Sequence, residues 1–495
     1  MRIKFLFPDR PLVSYPLLLS LLCILNSVGN KLRIAPLELG HTMTFVVVVL
    51  GFSIAANYFF RILFKEKIKA GIFTLLVLVF TFFYFDIYYS LYGVKWVHDV
   101  VYYYVAEKFH LVLVAIFGLI SFSVFVFIKK SKYNFILLNR YLNLTFGLFL
   151  LFELFKISTW RESEISLQNK TDFHATAPQQ EKRNVYFIVS DAYTSSASLK
   201  KYWSYDNKEL IDFLRSKGFF IAENSKCNYN STPFSIGSAL NMSYFDPDNF
   251  YESGEVRPSR IADLVANSEV IRQFSAAGYA SKNFSFFNFK DAPAYYADPF
   301  YSKTNLLDRT FFFLLTEKLN ISHEHQQLMQ IPIANLKMVA DLSSAQDTSS
   351  KPFFCYAHLM MPHFPYFFNE LGTEMSEDYA KNEEKKKEKY LSQLKYTNHL
   401  LIGMLEHLLS GPTKKPIIIL QGDHGFRDLK GINFNERVTE SETILNAYYF
   451  PDDSSKTNSL YDSVSPVNSF RIVFNKYFDA KLPLLKDRSF NTEFK

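Results

Sequence analysis

The run Pro416-Ile417-Ile418-Ile419-Leu420, which continues through Gln421-Gly422 into Asp423-His424-Gly425, decides how this chain is read. Unbroken aliphatic residues without polar alternation mark a strand buried on both faces, as in a sheet covered by helices. An acid and an imidazole then arrive together at its carboxyl end. Open α/β sheets build their sites along that edge. A second run, Val185-Tyr186-Phe187-Ile188-Val189, also ends on an acid, Asp191. Neighbouring residues of a strand point to opposite faces, so adjacent ligands need a break in the extended backbone, which Gly425 is expected to supply as turn freedom. Carboxylate oxygens with an imidazole nitrogen suit Zn²⁺ or Mn²⁺ and do not choose between them.

Between the two strands lies Ser231-Thr232-Pro233. Thr before Pro reads as a helix N-cap with Pro at the first helical position. That place also suits a nucleophile, because a nearby cation and the helix dipole both stabilise an alkoxide, and the free amides hold a phosphate. A third cluster, His358 and His363 with Pro362, Pro365 and Tyr366, follows the run at Phe353-Phe354-Cys355-Tyr356. Prolines between and after the two histidines exclude a regular helical face, so a rigid loop at the same sheet edge is expected. There they would protonate a leaving group, hold a phosphate oxygen or bind a second ion.

Outward from these motifs, strand-like runs near 353–357, 416–420 and 445–449 alternate with helical stretches at 209–216, 233–241, 261–277 and 390–409. The alternation predicts an α/β domain with a mostly parallel central sheet. The first third of the chain is a different material. Apolar stretches at 11–28, 43–60, 71–90, 110–128 and 141–157 each approach the ~20 residues that cross a bilayer, which predicts five transmembrane helices. Arg2, Lys4 and Arg10 precede the first, which lacks a small-residue cleavage site and reads as a retained anchor. Arg61, Lys65, Lys67 and Lys69 fill one connection and Lys129, Lys130 and Lys132 another. Both are then cytoplasmic, and everything after the fifth span lies outside. Trp96, Tyr102, Tyr103 and Tyr104 fit either an interfacial helix or an aromatic belt.

The expected organisation is therefore a transmembrane domain over 1–158, a linker over 159–184 that runs above the membrane, and a catalytic domain over 185–495. A net charge of +6, much of it in the basic connections, serves topology and gives no ground for nucleic-acid binding. Cys23 falls within a span, leaving Cys227 and Cys355 as the sole outward pair that could bond, and Cys355 sits in an apolar run where free buried thiols are common.

The order of acid after the first strand, Thr at a helix start, His358 and His363 around a Pro-rich loop, then Asp423-His424-Gly425 resembles the sulfatase-like branch of the alkaline phosphatase superfamily. With five spans and an outward catalytic domain, the chain looks like the bacterial lipoteichoic acid synthases and lipid A phosphoethanolamine transferases. Tyr390 to Asn398 and Leu445 to Pro451 share in the likeness. The resemblance implies Asp191, Asp423 and His424 as ligands of one divalent ion, Thr232 as a nucleophile touching it, and His358 and His363 facing the substrate phosphate or a looser ion. It further implies a phospholipid donor, transfer of its head group to Thr232 and then to an envelope glycan or lipid, and an inner-membrane, periplasm-facing location. True sulfatases carry Cys or Ser in Cys/Ser-x-Pro-x-Arg, and Cys227-Asn228-Tyr229-Asn230-Ser231 is no such motif. Hydrolysis of a phosphate or sulfate ester keeps the same residues with water as acceptor. A non-catalytic envelope scaffold or lipid-binding protein on the same fold would need none of them.

Overall fold

The computed structural model describes residues 12–32, 39–92, 94, 108–159, 166–169, 173–175, 182–245, 258–296, 306–307, 310–318, 330–344, 351–376, 379–380, 385–410, 414–451 and 459–492. The chain divides into two compact units, 1–162 with 303–326, and 163–302 with 327–495.

The first unit is helical: α1 Tyr15–Leu32, α2 Leu39–Phe64, α3 Lys67–Phe82, α4 Tyr84–Tyr92, α5 Phe109–Lys130 and α6 Ile136–Thr159. Among the described residues, three helices are long and apolar enough to cross a membrane: Thr42–Phe64, Phe109–Lys130 and Ile136–Thr159. The number becomes four if the bent pair Lys67–Phe82 and Tyr84–Leu91 is one span, while Tyr15–Gly29 is a shorter apolar helix. The expected count of five is thus not reproduced. The stretch at 71–90 is not one rod, since the chain turns by 68° at the break after Phe82. Polar groups join the helices. Asn143 Oδ1 on α6 accepts from the Ser14 amide at 3.1 Å and the Tyr15 amide at 3.0 Å, covering free donors at the start of α1. Ser20 and Ser53 share a hydrogen bond of 2.5 Å between α1 and α2. Trp96 and Tyr102 to Tyr104 lie outside the described residues.

One segment corrects the expected domain boundary. The helix Phe311–Lys318, within the range assigned to the catalytic domain, groups with the first unit. Its apolar residues have partners there: Phe311 packs 5.2 Å from the Tyr84 ring and Phe312 lies 5.1 Å from Phe52. The expected linker is also corrected where it is described. Gln168 donates to the Tyr244 carbonyl at 2.7 Å and Ala175 to Gln273 at 2.7 Å, so these residues are pinned to the second unit.

The second unit is built on a six-stranded sheet in the order β2-β6-β5-β1-β4-β3. The strands are β1 Val185–Ser190, β2 Phe220–Ile221, β3 Ala280–Phe284, β4 Phe353–Leu359, β5 Ile417–Gly422 and β6 Asn446–Tyr449. β1 pairs in parallel with both β4 and β5, β3 pairs in parallel with β4, and β6 runs antiparallel to β5 and β2. Both faces are covered, which is why the central strands read as continuous apolar runs. Val185, Phe187 and Val189 join Ile417, Ile419 and Phe354 in one core. Tyr186 and Ile188 join Ile418, Leu420 and Cys355 in the other. All three cysteines are free and buried.

The helix expected over 261–277 is two, Pro258–Ala266 and Glu269–Ala276, with Ser268 as N-cap of the second. Ser195 caps the helix Ser196–Trp203, accepting from the Ser198 amide at 3.2 Å. Thr232 is the first residue of the helix Thr232–Asn241, and the N-cap position belongs to Ser231.

Candidate active site

The parallel pairing of β1 and β5 brings Ser190 level with Gly422, so Asp191 and Asp423 leave the sheet side by side. Asp191 is fixed by its own amide, which donates to the Leu359 carbonyl at 2.8 Å. Ala192 then takes a positive φ of 59°, turning the chain so that its amide donates to Asp423 Oδ1 at 2.9 Å. The His424 amide donates to the same oxygen at 2.9 Å. One oxygen of Asp423 is thereby occupied twice and the other, Oδ2, is left without a partner among the described residues. His424 follows the same logic. Its Nδ1 lies 2.8 Å from the Gly425 carbonyl, which requires a proton on Nδ1 and leaves Nε2 as a lone pair with no partner among the described residues.

Asp191 completes the set. Its Oδ2 lies 3.1 Å from His358 Nε2, and its Oδ1 has no partner among the described residues. Three buried, unsatisfied ligand atoms therefore converge, with His424 Nε2 3.5 Å from Asp191 Oδ1 and 3.8 Å from Asp423 Oδ2. Leaving such groups unpaired costs roughly 1–3 kcal/mol each, and more where charged. Two carboxylate oxygens and a neutral imidazole nitrogen at this spacing are what a divalent ion at ~2.0–2.2 Å from each ligand demands. The residues present fit a metal.

Electrostatics agree. Burial favours the neutral form of Asp191, but His363, His358 and His424 around it outweigh burial and hold the carboxyl well below the usual range. Burial lowers the His424 pKa below its ordinary value, opposed by Asp423 and reinforced by the Arg427 charge. Both shifts favour the protonation states that ligate metal.

His358 is not where the sequence reading put it. It lies within β4 rather than in the loop after it, and is fully buried. Tyr356, two residues earlier on the same face, hydrogen-bonds its Nδ1 at 2.7 Å. Both ring nitrogens of His358 are engaged inside the protein, Nδ1 by Tyr356 and Nε2 by Asp191. Asp191, His358 and Asp423 also have ligand atoms mutually within 4.8 Å, as do Asp191, His363 and His424.

His363 does occupy the loop. Gln393 donates to its carbonyl at 2.9 Å and holds the segment. The ring lies 5.8 Å from that of His424, and its Nε2 is 3.2 Å from an Arg427 nitrogen. With Nδ1 against the Phe364 carbonyl, Nε2 is the acceptor for that guanidinium. His363, His424 and Arg427, with Phe364, Tyr366 and Lys386, line a cleft of about 290 Å³.

Thr232 is buried at the start of its helix, and the first turn is tied directly to the ligand loop: Ser235 Oγ donates to the Asp423 carbonyl at 2.7 Å. On the other side, Arg427 Nη1 lies 3.5 Å from the Asn230 carbonyl, two residues before Thr232. Gly425 does not serve the expected conformational purpose, since its φ is not in the left-handed region. It is required for space, because a Cβ there would stand 2.5 Å from the Glu440 carbonyl oxygen and 2.6 Å from that of Thr443. Sequence reasoning missed Tyr356, Ser235 and Arg427. The i, i+2 spacing of Tyr356 and His358 was a readable signal, and the other two carry none without tertiary structure.

The family model that matches this chain is Sulfatase, over residues 183–453, more than half of its length. The chain belongs to the sulfatase family. It is a sulfatase-like member of the alkaline phosphatase superfamily, whose members use divalent metal ions, and the matched range spans β1 to β6 and every residue of the cluster above. Similar solved structures include the periplasmic domain of the phosphoethanolamine transferase EptC from Campylobacter jejuni, 14% identical, covering 64% of this chain and 94% of that one with a TM-score of 0.39. The corresponding EptC domain from Escherichia coli, in complex with zinc, is 12% identical over 64% of this chain and 86% of that one, TM-score 0.38. A 2-O GAG sulfatase, BT1596, is 16% identical over 61% and 72%, TM-score 0.40. No curated protein matches the chain.

Proposed function

We propose that this sulfatase-family chain is a membrane-anchored, metal-dependent transferase. It moves a phosphoethanolamine- or phosphoglycerol-type group from a phospholipid to an envelope glycan or lipid through Thr232. The observation that carries the reading is the convergence of the unpartnered Asp191 Oδ1, Asp423 Oδ2 and His424 Nε2 beside a helix start held to Asp423 by Ser235.

In this reading those three side chains hold one Zn²⁺ or Mn²⁺, which when bound neutralises charge on the transferring group and favours the Thr232 alkoxide. Thr232 Oγ1 forms the new bond to phosphorus as the bond from phosphorus to the diacylglycerol oxygen breaks, and the hydroxyl proton ends on the departing diacylglycerol. The acceptor hydroxyl then displaces Thr232, with its proton returning to Oγ1. Dividing the transfer avoids a direct meeting of two bulky partners. Arg427 and His363 face the transferring group across the cleft, and His358 orients Asp191. The membrane helices keep the protein beside its donor. Counting α1 and the α3–α4 pair as spans gives five, and Lys65, Lys67, Lys129 and Lys130 on the inner side then leave the catalytic domain on the periplasmic face of the inner membrane.

A second reading, hydrolysis of a phosphate or sulfate ester, is favoured by the matched family itself. A sulfatase nucleophile made from the Cys or Ser of Cys/Ser-x-Pro-x-Arg is disfavoured by the residues. Ser231 and Pro233 keep the spacing of Cys/Ser-x-Pro-x-Arg, but Ser235 stands where Arg belongs, and its hydroxyl is engaged by Asp423. Cys227 is fully buried, and burial pushes its thiol well above the ordinary range.

The test is to incubate the full-length protein, with metal, in vesicles of phosphatidylethanolamine and phosphatidylglycerol and weigh the peptide that contains Thr232. An adduct absent from Thr232→Ala, with diacylglycerol released, supports the transferase, and its mass names the group. No adduct, with turnover of soluble aryl phosphate or sulfate esters, replaces it by the hydrolase. A domain that binds no stoichiometric Zn²⁺ or Mn²⁺ removes both.

A further inference from the structure

The loop Cys227–Ser231, which delivers Thr232, is held along its length by a segment near the far end of the chain. Ser489 Oγ donates to the Cys227 carbonyl at 2.7 Å. Asn228 Nδ2 donates to the Arg488 carbonyl at 2.8 Å, and the Phe490 amide to the Asn228 carbonyl at 2.9 Å. Tyr229 stacks on Phe490, ring centroids 5.1 Å apart and 18° from parallel, where the two residues also form a parallel bridge. Asn230 finishes the series. Its Oδ1 accepts from the Thr492 amide at 2.7 Å and the Thr492 hydroxyl at 3.0 Å. Its Nδ2 reaches Asn491 Oδ1 and Ser441 Oγ, both at 3.1 Å.

We propose that residues 488–492 form a strap that positions the nucleophile turn, with Asn230 as the residue through which it acts. The inference rests on the reading of Thr232 as nucleophile. Asn230 is fully buried, stands two residues before Thr232, and presents its carbonyl to Arg427. It is where the strap, the helix start and the cleft meet. The proposed ligand atoms are placed by other means: Asp191 and Asp423 by the ends of β1 and β5, His424 by its own turn. The strap therefore acts first on where Thr232 sits, while the cluster keeps its own supports at the strand ends besides the Ser235 bond that joins the two. It is anchored at its base by Asp487, whose Oδ1 accepts from Ser465 Oγ at 2.6 Å and Asn468 Nδ2 at 3.1 Å, so a chain ending at Asp487 keeps that anchor.

The experiment compares the full-length protein, the same chain ended after Asp487, and Asn230→Ala. Two quantities are read: Zn²⁺ affinity against a chromogenic chelator, and the single-turnover rate and amplitude of adduct formation on Thr232 in phosphatidylethanolamine and phosphatidylglycerol vesicles. In both variants the strap predicts Zn²⁺ affinity within about twofold of the parent, full adduct amplitude, and a rate constant lower by roughly 10- to 100-fold, the effect of about an ångström of misplacement. An unchanged rate constant overturns the proposal. So does a reduced amplitude at the parent rate, which reports a fraction of unfolded molecules, or a parallel loss of Zn²⁺. A parent protein that forms no adduct defeats the Thr232 reading instead, before either variant is compared.

Discussion

The Ser235 hydroxyl donates to the Asp423 carbonyl at 2.7 Å, one turn into the helix that Thr232 begins. Both residues are fully buried, so the bond is a fixed strut between the helix start and a proposed metal ligand. Ser235→Ala leaves that carbonyl without its donor at a cost of about 1–3 kcal/mol. The expected outcome is a lower melting temperature with Zn²⁺ stoichiometry retained, and turnover reduced more than metal binding. Calorimetry and metal analysis of the purified variant check it, and equal losses of both would show that the strut serves stability alone.

Gly425→Ala tests the crowding behind His424. A methyl there meets two backbone carbonyl oxygens, which cannot rotate away. Overpacking of this kind costs about 1–3 kcal/mol, and the displaced segment carries a ligand. Zn²⁺ affinity is therefore expected to fall along with stability. Gly403→Ala, in the helix Lys386–Ser410 where a new Cβ meets nothing within 4 Å, is the control. It should stabilise by roughly 0.5–1 kcal/mol and leave metal binding alone.

The central sheet was legible because β1, β4 and β5 are buried on both faces and leave an unbroken apolar trace. β3 was not, since Ala280-Ser281-Lys282-Asn283-Phe284 is a half-exposed edge strand, and β2 is only Phe220–Ile221. Hydropathy located the apolar helices but cannot register a 68° bend, so 71–90 read as one span. Phe311–Lys318 was assigned by its place in the chain, whereas its partners Tyr84 and Phe52 are remote in sequence. The candidate ligands at strand ends, Asp191, Asp423 and His424, were visible in the sequence because each closely follows an apolar run. Those defined by reach across the fold, Ser235 and Arg427, were not.

The pH dependence follows from the directions of two shifts. The folded pKa of His424 is depressed below 6.5, so as pH falls the unfolded chain takes up its proton first. Its contribution to stability is present above about 6.5 and is lost as the pH falls through the folded value. Asp191, also depressed, adds a second loss below its ordinary 3.8. Metal-free protein should therefore denature at lower urea concentration at pH 5.5 than at pH 7.5, and His424→Asn should flatten that difference. Saturating Zn²⁺ should raise stability at pH 7.5 by about 2.7 kcal/mol at a hundred times the dissociation constant. That gain shrinks on acidification as protons compete for the imidazole.

Tyr356, His358 and Asp191 form a buried relay of hydrogen bonds, 2.7 Å from the Tyr356 hydroxyl to His358 Nδ1 and 3.1 Å from His358 Nε2 to Asp191 Oδ2. The hydroxyl donates to Nδ1, which leaves the proton on Nε2 for the carboxylate and turns Oδ1 toward the ligand cluster. Tyr356→Phe removes the donor that fixes this tautomer without emptying the core. Partners one step removed from a metal usually change its affinity by about 10- to 100-fold. His358→Ala strips Asp191 Oδ2 of its partner outright and should weaken Zn²⁺ binding further than Tyr356→Phe. Chelator competition on the two variants measures the order. An affinity unchanged in His358→Ala would mean that β4 fills the core here and that Asp191 is oriented by its backbone alone.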